Sequence, residues 1–279
     1  MTDSYPAKIL LFGEYAVLCG GEGLAIPDFD FKMRWDIGSG PTSNLSDFAE
    51  YIRNNSKLNA LIDFNAFLND LEQGYYLFSN IPEGYGVGSS GAVVAAVFDR
   101  YAVNPIQKNN KVDLDYLRST LSEMENFFHA KSSGIDPLVS LIQKPVHVRS
   151  DGTVEILETE IMLTKYFEVD LYDTHQPRNS SAVIDQFMFK MKKPEFRESI
   201  EDSYLGLVSD CIRNCTMNEF GILQSSLIKL SEFQLTHFNF AIPTAIQQEW
   251  KKALNSGNEI YKLCGAGGGG FMIRFLSKN

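Results

Sequence analysis

The chain has 279 residues, 25 lysines and arginines against 35 acidic residues, a formal charge of −10, 44% hydrophobic and 22% charged residues. Such a composition belongs to a globular protein long enough for one large or two medium domains, and it excludes disorder as the main state. An acidic chain lacks the concentrated positive surface that neutralises a phosphate backbone, so nucleic acid is not an expected partner.

From Met1 to Pro6 there is neither a basic segment nor an apolar core before Lys8, so no signal peptide is expected. Apolar runs such as Ala92 to Phe98 fall far short of the roughly 20 residues that cross a bilayer, so no membrane partner is expected either. Cys19, Cys211, Cys215 and Cys264 are scattered, giving neither a disulfide framework nor paired metal ligands, and a reducing, cytoplasmic setting fits best.

In chain order, Lys8 to Phe12 reads as a strand ending in a turn at Gly13, followed by the short apolar run Ala16 to Leu18. Phe29, Phe31, Met33, Trp35 and Ile37 alternate with polar residues, the pattern of a half-buried strand with one face in the core. Residues 45–72 carry apolar positions at helical spacing, and Tyr75 to Phe78 resembles a short strand. Ala92 to Val103, apolar on nearly every side, predicts a buried helix, and Asp113 to His129 a second one with Leu114, Leu117, Leu121, Met124 and Phe128 inward. Asp151-Gly152, with Val146 and Val148 before it and Val154 and Ile156 after it, predicts a hairpin over 145–158, and Phe167 to Tyr172 another strand. Helical periodicity dominates 183–235, and Glu259 to Leu276 reads strand, glycine loop, strand. The change of character places a domain boundary near residue 175, giving domains 1–175 and 176–279.

Three glycine-bearing motifs carry the chemistry. Gly84-Tyr85-Gly86-Val87-Gly88-Ser89-Ser90-Gly91 lies between a strand and a buried helix. A glycine loop feeding a helix N-terminus aims backbone N–H groups and the positive end of a dipole at one place, which suits phosphate. The alternative is a plain turn capped by serines. The spacing Gly86, Gly88, Gly91 also satisfies the dinucleotide fingerprint and the protein-kinase loop, but HRD and DFG tripeptides are absent, as is a Walker A sequence. Near the C-terminus, Lys262-Leu263-Cys264-Gly265-Ala266-Gly267-Gly268-Gly269-Gly270 holds more glycine than a hairpin turn needs. At the start, Lys8-Ile9-Leu10-Leu11-Phe12-Gly13-Glu14-Tyr15 sets a lysine before the strand and an acid after it.

In this order and separation the trio resembles the GHMP small-molecule kinases, and it spans Lys8 to Phe271. The resemblance implies an α+β protein of two domains, the first like ribosomal protein S5 domain 2 and the second ferredoxin-like, with ATP and Mg²⁺ bound between them. Lys8 to Glu14, Glu125 with Asp136, and Thr174 to Ser180 are most similar to the mevalonate kinase branch; Tyr15 and Gly91 are more like phosphomevalonate kinases.

The implied reaction is ATP-dependent phosphorylation of the C5 hydroxyl of mevalonate, in the formation of isoprenoid precursors. Phosphomevalonate kinase, another GHMP kinase, an idle binding protein and the related decarboxylase are the alternatives. Gly84, Gly86, Val87, Gly88, Ser89, Ser90 and Gly91 would hold ATP, Ser90 and Glu125 would hold Mg²⁺, and Asp136 with Lys8 would be catalytic. Glu14, Tyr15, Ser180, Gly267 and Gly268 would face the substrate. His129 sits where the family has a histidine and is equally well a structural residue; Asp136 before Pro137 is equally a turn acid on its own. A small molecule is the partner expected, with a homodimer as the one protein partner allowed for.

Overall fold

The computed structural model describes residues 4–40, 43–104, 114–129, 131–257 and 259–278. Met1 to Asp3, where the signal-peptide expectation partly falls, and Asp113, the expected start of a helix, lie outside the described residues.

The chain packs as two units. The first is drawn from Met1–Ile9, Ala25–Glu83 and Val87–Val146, the second from Leu10–Leu24, Gly84–Gly86 and His147–Asn279. The strands are β1 (Tyr5–Phe12), β2 (Gly23–Ile37), β3 (Tyr75–Ser79), β4 (Val146–Val148), β5 (Val154–Ile156), β6 (Phe167–Asp173), β7 (Glu259–Leu263) and β8 (Phe271–Ser277). The α-helices are α1 (Ser43–Asn54), α2 (Phe64–Glu72), α3 (Ser89–Tyr101), α4 (Leu114–Glu125), α5 (Ile135–Ile142), α6 (Ser180–Lys190), α7 (Pro194–Ser199), α8 (Leu205–Thr216), α9 (Phe220–His237) and α10 (Thr244–Ser256).

One sheet has the order β1-β2-β4-β5, with β3 antiparallel to β2 so that Trp35 lies opposite Leu77 and Ile37 opposite Tyr75. The alternation expected over Phe29 to Ile37 is there in part: Met33 is buried, while Phe29 and Ile37 are 55% and 61% exposed. In the first unit α3 lies against α5. Ala92, Val94, Ala95, Ala96 and Val97 are all buried, as a helix apolar all round requires. Helix α5 has no clear sequence signal, because Asp136-Pro137 reads as a turn; Pro137 instead occupies its first turn, where a missing N–H costs nothing. At α2 the Asp63 carboxylate accepts from the Ala66 N–H at 3.0 Å, an ordinary N-cap.

In the second unit β6-β8-β7 form an antiparallel sheet, with Leu171 opposite Ile273 and Lys262 opposite Ile273 on the other side. Helix α9 packs on β7, α8 and α10, and the buried Trp250 indole donates to Ser231 Oγ at 2.7 Å. The two compact units part at Val146–His147, with two early segments joining the second unit. The reason is the β6–β8 pairing, which commits Phe167–Asp173 to strands at the chain's end. Periodicity along a sequence carries no trace of which distant strand will be the partner. Among the described residues no helix is long and apolar enough to cross a membrane.

Candidate active site

In the first unit the end of the glycine loop, Val87–Gly91, and three helices converge. Val87 is buried and its carbonyl accepts from the Lys8 N–H at 2.9 Å, tying the loop to β1. Gly88 caps α3 in the left-handed conformation, φ 76°, which glycine adopts without strain. A Cβ on Gly88 would stand 3.4 Å from both Asp136 Oδ2 and Lys8 Cβ, so the helix N-terminus and these two side chains share one spot. Gly91 is tighter: a Cβ there would meet the Asp136–Pro137 backbone at 2.8 Å. The Ser-Ser-Gly sequence is therefore what lets α3 press on the first turn of α5.

Lys8 Nζ lies 2.7 Å from Asp136 Oδ1, with the two side chains 10% and 30% exposed. Ser90 Oγ donates to Glu125 Oε1 at 3.0 Å and lies 3.0 Å from His129 Nε2; Ser132 Oγ donates to Glu125 Oε2 at 2.5 Å. Burial, then the charge of Asp136, pushes Glu125 up to about 7, against the pull of both serines and Lys8. Ser89 and Ser90 also border a cavity of about 370 Å³ lined on its apolar side by Met33, Leu45, Leu77, Ile81, Val93 and Phe128, and on its polar side by His129 and Glu83 among others. That volume lies in the range of small-molecule sites. Of the residues expected at this site, Lys8, Val87, Gly88, Ser89, Ser90, Gly91, Glu125 and Asp136 are thus in the first unit.

Glu125, Ser90 and Ser132 form a hard-oxygen donor set. Among the described residues no group of three or more His, Cys, Asp or Glu could hold a metal by itself. One buried carboxylate with hydroxyls beside it fits an ion such as Mg²⁺, which takes one or two protein carboxylates and completes its shell with water and phosphate oxygens.

The second unit holds the other expected residues, and it buries two of them. Glu14 is 1% exposed and ion-paired to Lys262, itself 1% exposed. Burial raises the Glu14 carboxyl, with Lys262 opposing that shift. Tyr15, at φ 60°, stacks on Phe187 with ring centroids 4.5 Å apart, and its hydroxyl donates to the Ala266 carbonyl at 2.5 Å. Neither side chain is presented to solvent, although both are expected to face substrate. Ser180 is the first residue of α6, next to Asn179, whose side chain caps the helix through the Ala182 N–H at 3.3 Å.

The C-terminal glycines are explained by their own surroundings. The Gly268 and Gly270 amides donate to the Ala241 and Gln176 carbonyls at 2.7 and 2.8 Å, and a Cβ on Gly267 would stand 2.5 Å from the Ala241 oxygen. Gly267 and Gly268 thus serve close backbone packing. Gly84 has open space around it, whereas Gly86 and Gly265 both face the guanidinium of Arg178, 2.9 Å from Nη2 at a Gly265 Cβ.

Arg178 is the residue that sequence reasoning missed. Its Nε is buried with no hydrogen-bond partner, and among the described residues no carboxylate lies within ion-pair distance of its guanidinium. The available signal was its place in the Pro177-Arg178-Asn179 stretch. Ser132 was missed as well, because nothing in its spacing announces a partner for Glu125.

With this geometry in place, residues 52–144 match the family described as GHMP kinases N terminal domain. That match covers about a third of the chain. The chain is 24% identical to the mevalonate kinase of Schizosaccharomyces pombe, over 98% of its own length and 82% of that protein's. Its fold is similar to that of L. major mevalonate kinase in complex with R-mevalonate, at TM-score 0.64 and 14% identity, covering 99% of this chain and 87% of that one. A Streptococcus pneumoniae phosphomevalonate kinase structure is similar as well, at TM-score 0.65 and 14% identity, covering 99% and 91%. The mixed α and β architecture is that of the two-domain GHMP kinase fold.

Proposed function

We propose that the protein transfers the γ-phosphoryl group of ATP to the C5 hydroxyl of mevalonate. The observation that carries this reading is the Lys8–Asp136 ion pair at the N-terminus of α3, beside the Ser90–Glu125 pair.

Phosphoryl transfer asks the protein for position, for charge neutralisation and for a place to put the hydroxyl proton. The N-terminus of α3 offers backbone N–H groups to the triphosphate, with Ser89 and Ser90 bordering the cavity that would take the rest of the nucleotide. Ser90 and Glu125 would hold Mg²⁺, which when bound neutralises phosphate charge as a Lewis acid. The acceptor oxygen attacks the γ-phosphorus, the bond from that phosphorus to the bridging oxygen breaks, and ADP leaves. Asp136 takes or orients the hydroxyl proton, and the Lys8 ammonium, 2.7 Å from Asp136 Oδ1, favours the alkoxide and the transferring charge.

Phosphomevalonate is the second reading, supported by Tyr15 after Glu14 and by the likeness to the pneumococcal enzyme's fold. ADP release measured with mevalonate, phosphomevalonate, galactose and homoserine separates the readings: turnover greatest with mevalonate is expected. Turnover confined to phosphomevalonate would move the assignment to the second reading, and none with either would overturn both.

A further inference from the structure

Glu125 is the last residue of α4 and is buried, so its carboxylate stands at the negative end of that helix's dipole, an unfavourable place for charge. Both of its oxygens are held. Ser90 Oγ donates to Oε1 at 3.0 Å and Ser132 Oγ donates to Oε2 at 2.5 Å. The two serines are not equivalent. Ser90 lies in the first turn of α3 and borders the cavity. Ser132 is fixed by protein on each of its polar groups: its N–H donates to Asn126 Oδ1, its carbonyl accepts from Ser122 Oγ and its hydroxyl accepts from the Gly134 N–H, all at 2.9 Å. Gly134, at φ 75°, caps α5, the helix whose first turn carries Asp136. A Cβ on Gly134 would stand 2.3 Å from the Arg118 carbonyl, so the turn is pressed against α4 and has no room to shift.

We propose that Ser132 is a positioning residue for Glu125: it holds Oε2, so that Oε1 and Ser90 Oγ are left to the Mg²⁺ that accompanies the nucleotide. This rests on the phosphoryl-transfer reading and deepens it, because it assigns Ser132 to the carboxylate and not to the metal. A glutamate side chain has several rotatable bonds, and one that must be ordered at each binding event binds more weakly than one already placed. With its proton on Glu125 and a lone pair on the Gly134 N–H, the Ser132 hydroxyl cannot swing away without losing both bonds. The same side chain thus ties the carboxylate at the end of α4 to the cap of α5, just before Asp136.

The test is the affinity of the full chain for Mn²⁺ in the presence of ADP, read from the electron paramagnetic resonance signal of the free ion, so that neither acceptor nor turnover is needed. Ser132→Ala is expected to weaken Mn²⁺ binding about 10- to 100-fold, the usual cost of losing a partner of a metal ligand, with metal-free ADP affinity within about twofold of wild type. Ser132→Thr keeps the hydroxyl and should restore most of the Mn²⁺ affinity. Asn126→Ala weakens Mn²⁺ binding less, and in Ser132→Ala it should add nothing, because it acts only through that hydroxyl. A serine needed only for folding would lower the urea midpoint and leave Mn²⁺ affinity alone. Unchanged Mn²⁺ affinity in Ser132→Ala, no recovery with threonine, or additive losses with Asn126→Ala would each overturn the proposal.

Should Ser132→Ala fail to fold, Ser122→Ala, which leaves the Ser132 hydroxyl in place and frees only its carbonyl, enters the same measurement. Weaker Mn²⁺ binding, toward the lower end of the same range, is expected, and wild-type affinity in that variant would overturn the proposal. A wild-type chain that takes up no more Mn²⁺ than ADP alone does overturns the reading and this proposal together. A wild type that binds Mn²⁺ with ADP and loses that binding in Ser132→Ala, yet releases no ADP with mevalonate, overturns the acceptor and supports the role of Ser132.

Discussion

Lys8 Nζ and Asp136 Oδ1 lie 2.7 Å apart, one from β1 and the other from the first turn of α5. Lys8 is nearly buried and Asp136 is part-exposed, so the pair is shielded on one side and open on the other. Asp136→Asn keeps the shape and removes the proton acceptor. Turnover should fall by about 10²- to 10⁴-fold, the usual worth of a general base, while nucleotide affinity measured by titration calorimetry stays close to wild type. Near-normal turnover in the variant would remove Asp136 from the chemistry.

Gly91→Ala sets two effects against each other. In an exposed helix alanine would gain about 1 kcal/mol over glycine. Here the added methyl would stand 2.8 Å from the backbone of Asp136 and Pro137, and overpacking of that kind costs about 1–3 kcal/mol. The net expectation is a lower denaturation midpoint together with reduced turnover, because relief of the clash moves Asp136 away from Lys8. A variant as stable and as active as the parent would show that α3 and α5 part without consequence.

The four cysteines offer a check on the second unit's packing. None of the four forms a disulfide; Cys211, Cys215 and Cys264 are buried, and burial pushes the Cys215 thiol up to about 12 and Cys211 higher still. Reactivity follows the thiolate. Iodoacetamide on the folded protein should therefore mark Cys19 alone, and slowly, since its thiol is raised too. Rapid labelling of Cys211 or Cys215, read by mass spectrometry of the peptides, would contradict that core.

What was legible in the sequence follows from the range of the interactions. The glycine loop, the buried helix after it and the Asp-Gly hairpin are local, and each appears where its spacing predicts. The β6–β8 pairing is not local, so the unit boundary could not be placed by composition. Helix α5 was hidden because Asp136-Pro137 is equally good at opening a turn and at starting a helix. Glu14 and Tyr15 show the same limit at the site: a motif marks which residues matter but not whether a side chain points at a ligand or into the core. Only the partners decide that, and Lys262, 248 residues from Glu14 along the chain, is not visible from the motif.

Glu125 gives the protein a pH dependence whose sign is fixed by its surroundings. Its carboxyl stands at about 7 in the folded chain against 4.5 for an ordinary glutamate, because burial and Asp136 both disfavour the charge. Below 4.5 both states hold the proton. Between 4.5 and 7 only the folded state does, so stability present at low pH is lost as pH rises through this window and changes little above it. At 1.36 kcal/mol per pKa unit, the wild type should lose about 2 kcal/mol between pH 5 and pH 8 relative to Glu125→Gln, which has no proton to release. Urea midpoints of the two proteins at both pH values measure this directly. A difference that is the same at pH 5 and pH 8 would mean that Glu125 is ionised throughout, and that Ser90 and Ser132, with Lys8, outweigh burial.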